Sequence, residues 1–136
     1  MWAGLKPEQV SDDWGRLKPF VEKGLARSRG EYTAEDVLIK IAHREMQLWA
    51  VFHDEGLQAI VITEILYFPN LKTANLFLAA GQGMAHWGKY LEEVIEPWAK
   101  SRGCVELSGF CRAGMAKTLE KRGWTPAYTV MRKAIA

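Results

Sequence analysis

Cysteine is scarce in this chain. Cys104 and Cys111 are the only two in 136 residues. They lie seven residues apart, with no CxxC pair and no histidine beside them, which excludes a disulfide framework and argues against a zinc site. Both are read as free thiols in a reducing compartment. No apolar run approaches the ~20 residues a membrane span needs. The amino terminus, Met1-Trp2-Ala3-Gly4-Leu5-Lys6-Pro7, lacks the apolar core of a secretory signal, so the expected location is the cytoplasm. Internal repeats and low-complexity linkers are missing too. What is present, 49% hydrophobic and 25% charged residues, fits one globular domain over residues 1–136.

Charge is unevenly divided. Residues 1–68 carry eight Lys/Arg against eleven Asp/Glu, whereas residues 69–136 carry ten against five. The basic half suits a phosphate-bearing ligand. It holds no dense basic run, and its aromatics fall at core spacings, which argues against nucleic-acid binding.

Periodicity divides the chain into elements. Val10, Trp14, Leu17 and Val21 share one helical face, with a break or kink expected at Pro19. Thr33 and Asp36 form a capping-box pattern that opens a second helix through Ala42. Runs at 46–52, 58–66 and 73–80, separated by His53-Asp54-Glu55-Gly56 and Phe68-Pro69-Asn70, read as an antiparallel meander. Trp87, Leu91, Val94 and Trp98 mark a helix that Pro97 should bend and Gly103 should stop. A strand at 104–110, a helix at 112–122 stopped by Gly123, and a final strand at 124–133 complete the order. Strand–helix–strand spacing implies a parallel crossover between 73–80 and 104–110. The expected fold is α/β with a mixed central sheet and flanking helices.

From Leu78 onward the spacings resemble the GNAT family of acyl-CoA-dependent N-acetyltransferases. In that family a strand leads into a loop of the form Arg/Gln-x-x-Gly-x-Gly/Ala and then a helix whose amino terminus receives the CoA pyrophosphate. Gly83-Met84-Ala85-His86-Trp87-Gly88 occupies the loop here, and Leu91, Ala99 and Gly103 follow at family intervals. Glu120-Lys121-Arg122-Gly123-Trp124 resembles the Glu-Lys-x-Gly-Phe ending of the next helix. The likeness spans residues 45–133. A first strand ahead of the leading helices has no counterpart in the pattern. Orphan helix amides and the helix dipole suit a diphosphate, and glycines let it approach the backbone. The resemblance therefore implies acetyl-CoA as cofactor, held by Leu78, Gly83 through Gly88, and Arg112.

The departures are chemical. Only the last loop glycine is kept, as Gly88; His86 stands at the first and Gly83 at the Arg/Gln position. Where the family often has an Asn and a proton-donating Tyr on the following helix, this chain has Arg112 and Leu119. Tyr128 is the nearest phenol, expected to pack in the last strand. Glu64 and Glu106 are the carboxylates placed to take a proton from an amine, and Glu64 and Tyr128 are the catalytic candidates. Short length, tryptophan content, Gln47-Leu48-Trp49 and the segment 109–114 also resemble small GNAT-like virion or head-morphogenesis proteins of tailed bacteriophages. The implied function is a GNAT-fold protein with weakened or lost catalysis and a virion or assembly partner, in a bacterial host cell or on the particle. The alternative is an active N-acetyltransferase acting on an unidentified amine.

Overall fold

The computed structural model describes residues 2–54, 56–82 and 88–136, with Trp2 described by its backbone alone. Strand β1 (Trp2–Leu5) precedes helices α1 (Pro7–Asp12), α2 (Trp14–Leu25) and α3 (Ala34–Ala42). Strands β2 (Met46–His53), β3 (Gly56–Tyr67) and β4 (Lys72–Gly81) form the meander. A π-helical turn (Leu91–Ile95) runs into α4 (Glu96–Ser101), followed by β5 (Glu106–Gly109) and α5 (Ala113–Glu120). The five strands form one sheet in chain order, antiparallel throughout except for the parallel β4–β5 pair. The expected crossover is therefore present.

At six and nine residues, α1 and α3 fall below the ~12–15 residues at which isolated helices hold in water. Burial sustains them: Val10, Leu17, Val21, Val37 and Ile41 lie against Leu48, Ile60, Ile62 and Leu78 on one sheet face. Each such side chain contributes ~1.5–3 kcal/mol on leaving water. The α2 backbone comes so close that a Cβ on Gly24 would fall 2.5 Å from Leu78 Cγ. Across the sheet, Trp49, Val51 and Val61 pack against Leu91, Ile95 and Leu119. The Thr33 cap forms as expected: Thr33 Oγ1 accepts from the Asp36 amide at 3.1 Å, and Asp36 Oδ2 accepts from the Thr33 amide at 2.9 Å. Gly103 and Gly123 take positive φ, +80° and +92°, at the two helix stops.

Four expectations need correction. A first strand does exist: β1 pairs with β2 from Trp2↔Val51 to Leu5↔Leu48. Four residues are too few to show a period, and backbone pairing holds them beside the ring of Trp49, which crowds Gly4. The leading helix breaks at Asp13, not at Pro19, which lies inside α2. The bond Pro19 cannot make belongs to the carbonyl of exposed Gly15, which water can reach. Pro97 sits in the first turn of α4, and the irregularity falls in the turn before it, which widens with the Glu96 amide donating to the Leu91 carbonyl. Finally, residues 124–136 form no strand. Pro126 has no amide to give a ladder, Tyr128 is 94% exposed instead of packed, and Arg132 pairs with Glu31 at 3.4 Å.

Among the described residues, no helix is long and apolar enough to cross a membrane, and no group of His, Cys, Asp and Glu could hold a metal ion.

Candidate functional site

The site grows from how β4 parts from β5. Parallel pairing runs from Thr73↔Glu106 to Leu76↔Gly109 and ends there, while β4 continues to Gly81. Among the described residues, none pairs with 77–81 on the side facing the gap, so these residues present a free backbone edge there. A bulge lies at the parting: Ile62 pairs with Leu78 and Thr63 with Leu76, leaving Phe77 as the extra residue. Bulges disrupt a ladder locally, and the β4–β5 pairing ends at Leu76, the residue before Phe77. Tyr32 fixes the bulge, its ring edge-on to Phe77 with centroids 4.9 Å apart.

One rung before the strands separate, a polar row crosses the sheet on the face covered by α1–α3. Thr73 and Asn75 are buried, at 3% and 4% exposure, and Ser108 and Glu64 are half-buried. Thr73 Oγ1 lies 3.2 Å from Ser108 Oγ, and Ser108 Oγ donates to Asn75 Oδ1 at 3.1 Å. Glu64, the cross-strand partner of Asn75, shares a side-chain hydrogen bond with it. Burial pushes the Glu64 carboxyl above its ordinary range, against the opposing pull of Asn75 and Lys40. A carboxylate of raised basicity beside a gap is equipped to accept a proton. Glu106 is exposed at the far end of the row.

The other sequence candidates are scattered. Gly83, Met84, Ala85, His86 and Trp87 lie outside the described residues. The Leu78 side chain is buried under α2, so only its backbone reaches the gap edge. Arg112 is the exposed residue capping the start of α5, and among the described residues no carboxylate pairs with it. Leu119 is buried in the opposite core, and Tyr128 lies on the irregular tail.

Sequence reasoning missed Asn75 and Ser108 as members of the row. Polar residues at 73, 75 and 108 on adjacent strands were the available signal. It also missed Arg122, which lies against Gly88 and holds Glu92 through both carboxylate oxygens at 3.2 Å. A Cβ on Gly88 would fall 2.7 Å from Arg122 Nε. Gly88→Ala should therefore force Arg122 off Glu92, at a cost of up to about 1 kcal/mol. Arg122→Ala in the same chain should remove the penalty, a non-additivity that urea titration of the four-variant cycle measures.

A shallow cavity of about 330 Å³ opens beside Gly81 and Gln82, between Phe20 and Lys23 of α2 and Leu57 and Gln58 of β3.

No protein-family model matches this chain, and no curated protein does. Solved acetyltransferases share its fold. The ribosomal-protein-alanine N-acetyltransferase of Brucella melitensis biovar Abortus 2308 superimposes with a TM-score of 0.69 at 17% identity, over 98% of this chain and 99% of that one. Glucosamine-6-phosphate N-acetyltransferase from Arabidopsis thaliana gives 0.70 at 16%, over 100% and 98%. An aminoglycoside acetyltransferase from an uncultured soil metagenomic sample, in complex with sisomicin, gives 0.67 at 12%, over 100% and 95%. At these identities the likeness establishes architecture, and the architecture is the GNAT fold.

Proposed function

We propose that this chain binds acetyl-CoA in the gap between β4 and β5 and transfers the acetyl group slowly to an amine. The observation that carries this reading is the parted strand pair with Glu64 one rung from its closed end. The free edge at 77–81 offers strand-like hydrogen bonds to an extended amide-bearing arm. Gly88 and Arg112, which no carboxylate pairs with among the described residues, are available to a diphosphate. Glu64 takes the proton released as the amine attacks the thioester carbonyl, and the CoA thiolate leaves. The named neighbours, all acetyltransferases, support the direction of this reading.

A second reading is a silent scaffold that serves an assembly, including the virion role that the phage likeness suggests. One observation favours it: the position where the resemblance expects a proton-donating phenol holds the buried Leu119, and Tyr128 is 94% exposed on the tail, so neither donates to the leaving thiolate. The phage likeness itself rests on sequence alone.

Calorimetric titration with acetyl-CoA and with CoA tests the first reading, followed by acetyl-CoA consumption over an amine and peptide panel. The expected result is binding of both and slow turnover. Failure of both to bind overturns the proposal; binding without turnover selects the silent scaffold.

A further inference from the structure

The hydrogen-bond row beside the gap has a direction, and proton counting gives it. A serine hydroxyl carries one proton, and Ser108 spends it on Asn75 Oδ1 at 3.1 Å. At the 3.2 Å contact with Thr73 Oγ1, Ser108 must then accept, so Thr73 donates. With its oxygen occupied, the Asn75 amide can only turn its NH2 toward Glu64, the residue opposite it on β3. Three donors on two strands thus end on one carboxylate on a third. Reversing Asn75 would let Ser108 accept from its NH2 and donate to Thr73, but would set the Asn75 oxygen against the Glu64 carboxylate, acceptor facing acceptor.

We infer that Asn75 is a positioning residue: clamped by Ser108, its amide orients the Glu64 carboxylate toward the closed end of the β4–β5 gap. The inference rests on the reading of Glu64 as the proton acceptor and adds the residues that aim it. Other charges around Glu64 are few. Lys40 of α3 faces it and is itself shared with Glu45, at 3.5 Å. Across β2 its partner is the uncharged Met46. Glu106 of β5 belongs to the rung of Thr73, on the exposed sheet edge.

A merely structural row would stitch β4 to β5 and leave Glu64 indifferent to Ser108. The two roles separate in the Glu64 titration, followed by carboxyl carbon resonances in glutamate-labelled full-length protein without substrate. Ser108→Ala removes one hydroxyl and frees Asn75 to turn; Asn75→Ala removes the amide donor altogether. Both should move the Glu64 midpoint upward, Asn75→Ala further, because a donor to the charged form has been lost. Thr73→Val, which removes a hydrogen bond to Ser108 and none to Asn75 or Glu64, should move it least. If the chain turns over acetyl-CoA, Asn75→Ala should also lower kcat by about 3–10-fold with KM for acetyl-CoA unchanged. Ser108→Ala keeps the test available should Asn75→Ala fail to fold. An unmoved midpoint in a folded Ser108→Ala variant overturns the inference whatever the activity. A moved midpoint in a protein without turnover supports the clamp and counts against the proposed function alone.

Discussion

Replacing Glu64 with Gln should lower kcat/KM for acetyl transfer by about 10²–10⁴-fold while leaving CoA affinity unchanged. The amide keeps the size of the carboxylate and cannot take a proton, so the loss measures general-base catalysis with little change in packing. pH dependence supplies the signature. Burial raises Glu64 above its ordinary range, so wild-type kcat/KM should fall on acidification at a higher pH than an exposed carboxylate would dictate. In Glu64→Gln that limb should vanish. Stability moves with the opposite sign. Glu64 holds its proton more tightly folded than unfolded, so its contribution is complete below the unfolded value and declines as pH rises through the folded one. Relative to wild type, Glu64→Gln should therefore gain stability as pH rises from about 4, near the model-peptide value. Urea midpoints across that range check it. A variant that instead loses ground with rising pH would show that Asn75 and Lys40 outweigh burial, and a variant with wild-type kcat/KM would remove Glu64 from the chemistry.

The meander, the capped helix at Thr33, the glycine stops and the parallel pair were legible because each follows from local rules: strand patterning, a side-chain cap, an αL residue. What was illegible depends on partners remote in sequence. Strand β1 is four residues whose stability comes from its pairing with β2, and no periodicity announces that. The tail from Trp124 carries Tyr128, Thr129 and Val130, good strand formers, yet propensity cannot make a ladder without a neighbour to accept it. At the site, Glu64 was visible as a carboxylate in an apolar run. Its polar neighbours were not, because Asn75 and Ser108 meet only through the β4–β5 register, 33 residues apart. Bulge position is equally hidden: Phe77 reads as one more apolar strand residue until the pairing of β3 with β4 shows that it has no opposite.

Gly81→Ala should be the most destabilising single methyl added to this chain, costing roughly 2–5 kcal/mol from backbone strain and overpacking together. Gly81 ends β4 with φ +128°, a conformation that L side chains rarely adopt. The added Cβ would also fall 2.5 Å from Ala59 Cα and meet the Gln58 carbonyl. Both are backbone, in a strand paired on each side, and neither can swing away as a side-chain tip would. Gly123→Ala separates the two causes. Its φ is +92°, and nothing lies within 4 Å of the new carbon, so that variant carries strain alone. Urea denaturation of both should rank Gly81→Ala well below Gly123→Ala, and the difference measures the clash. Consequences should reach the site, because the Gln82 amide bonds the Gln58 carbonyl at 3.2 Å where the chain leaves the sheet. Pushing β4 away from Ala59 displaces the free edge along the gap, so the folded fraction of Gly81→Ala should bind CoA at least tenfold more weakly. Equal urea midpoints for the two variants would show that the end of β4 yields without cost. Retained CoA affinity in a destabilised Gly81→Ala protein would place the cofactor away from that edge.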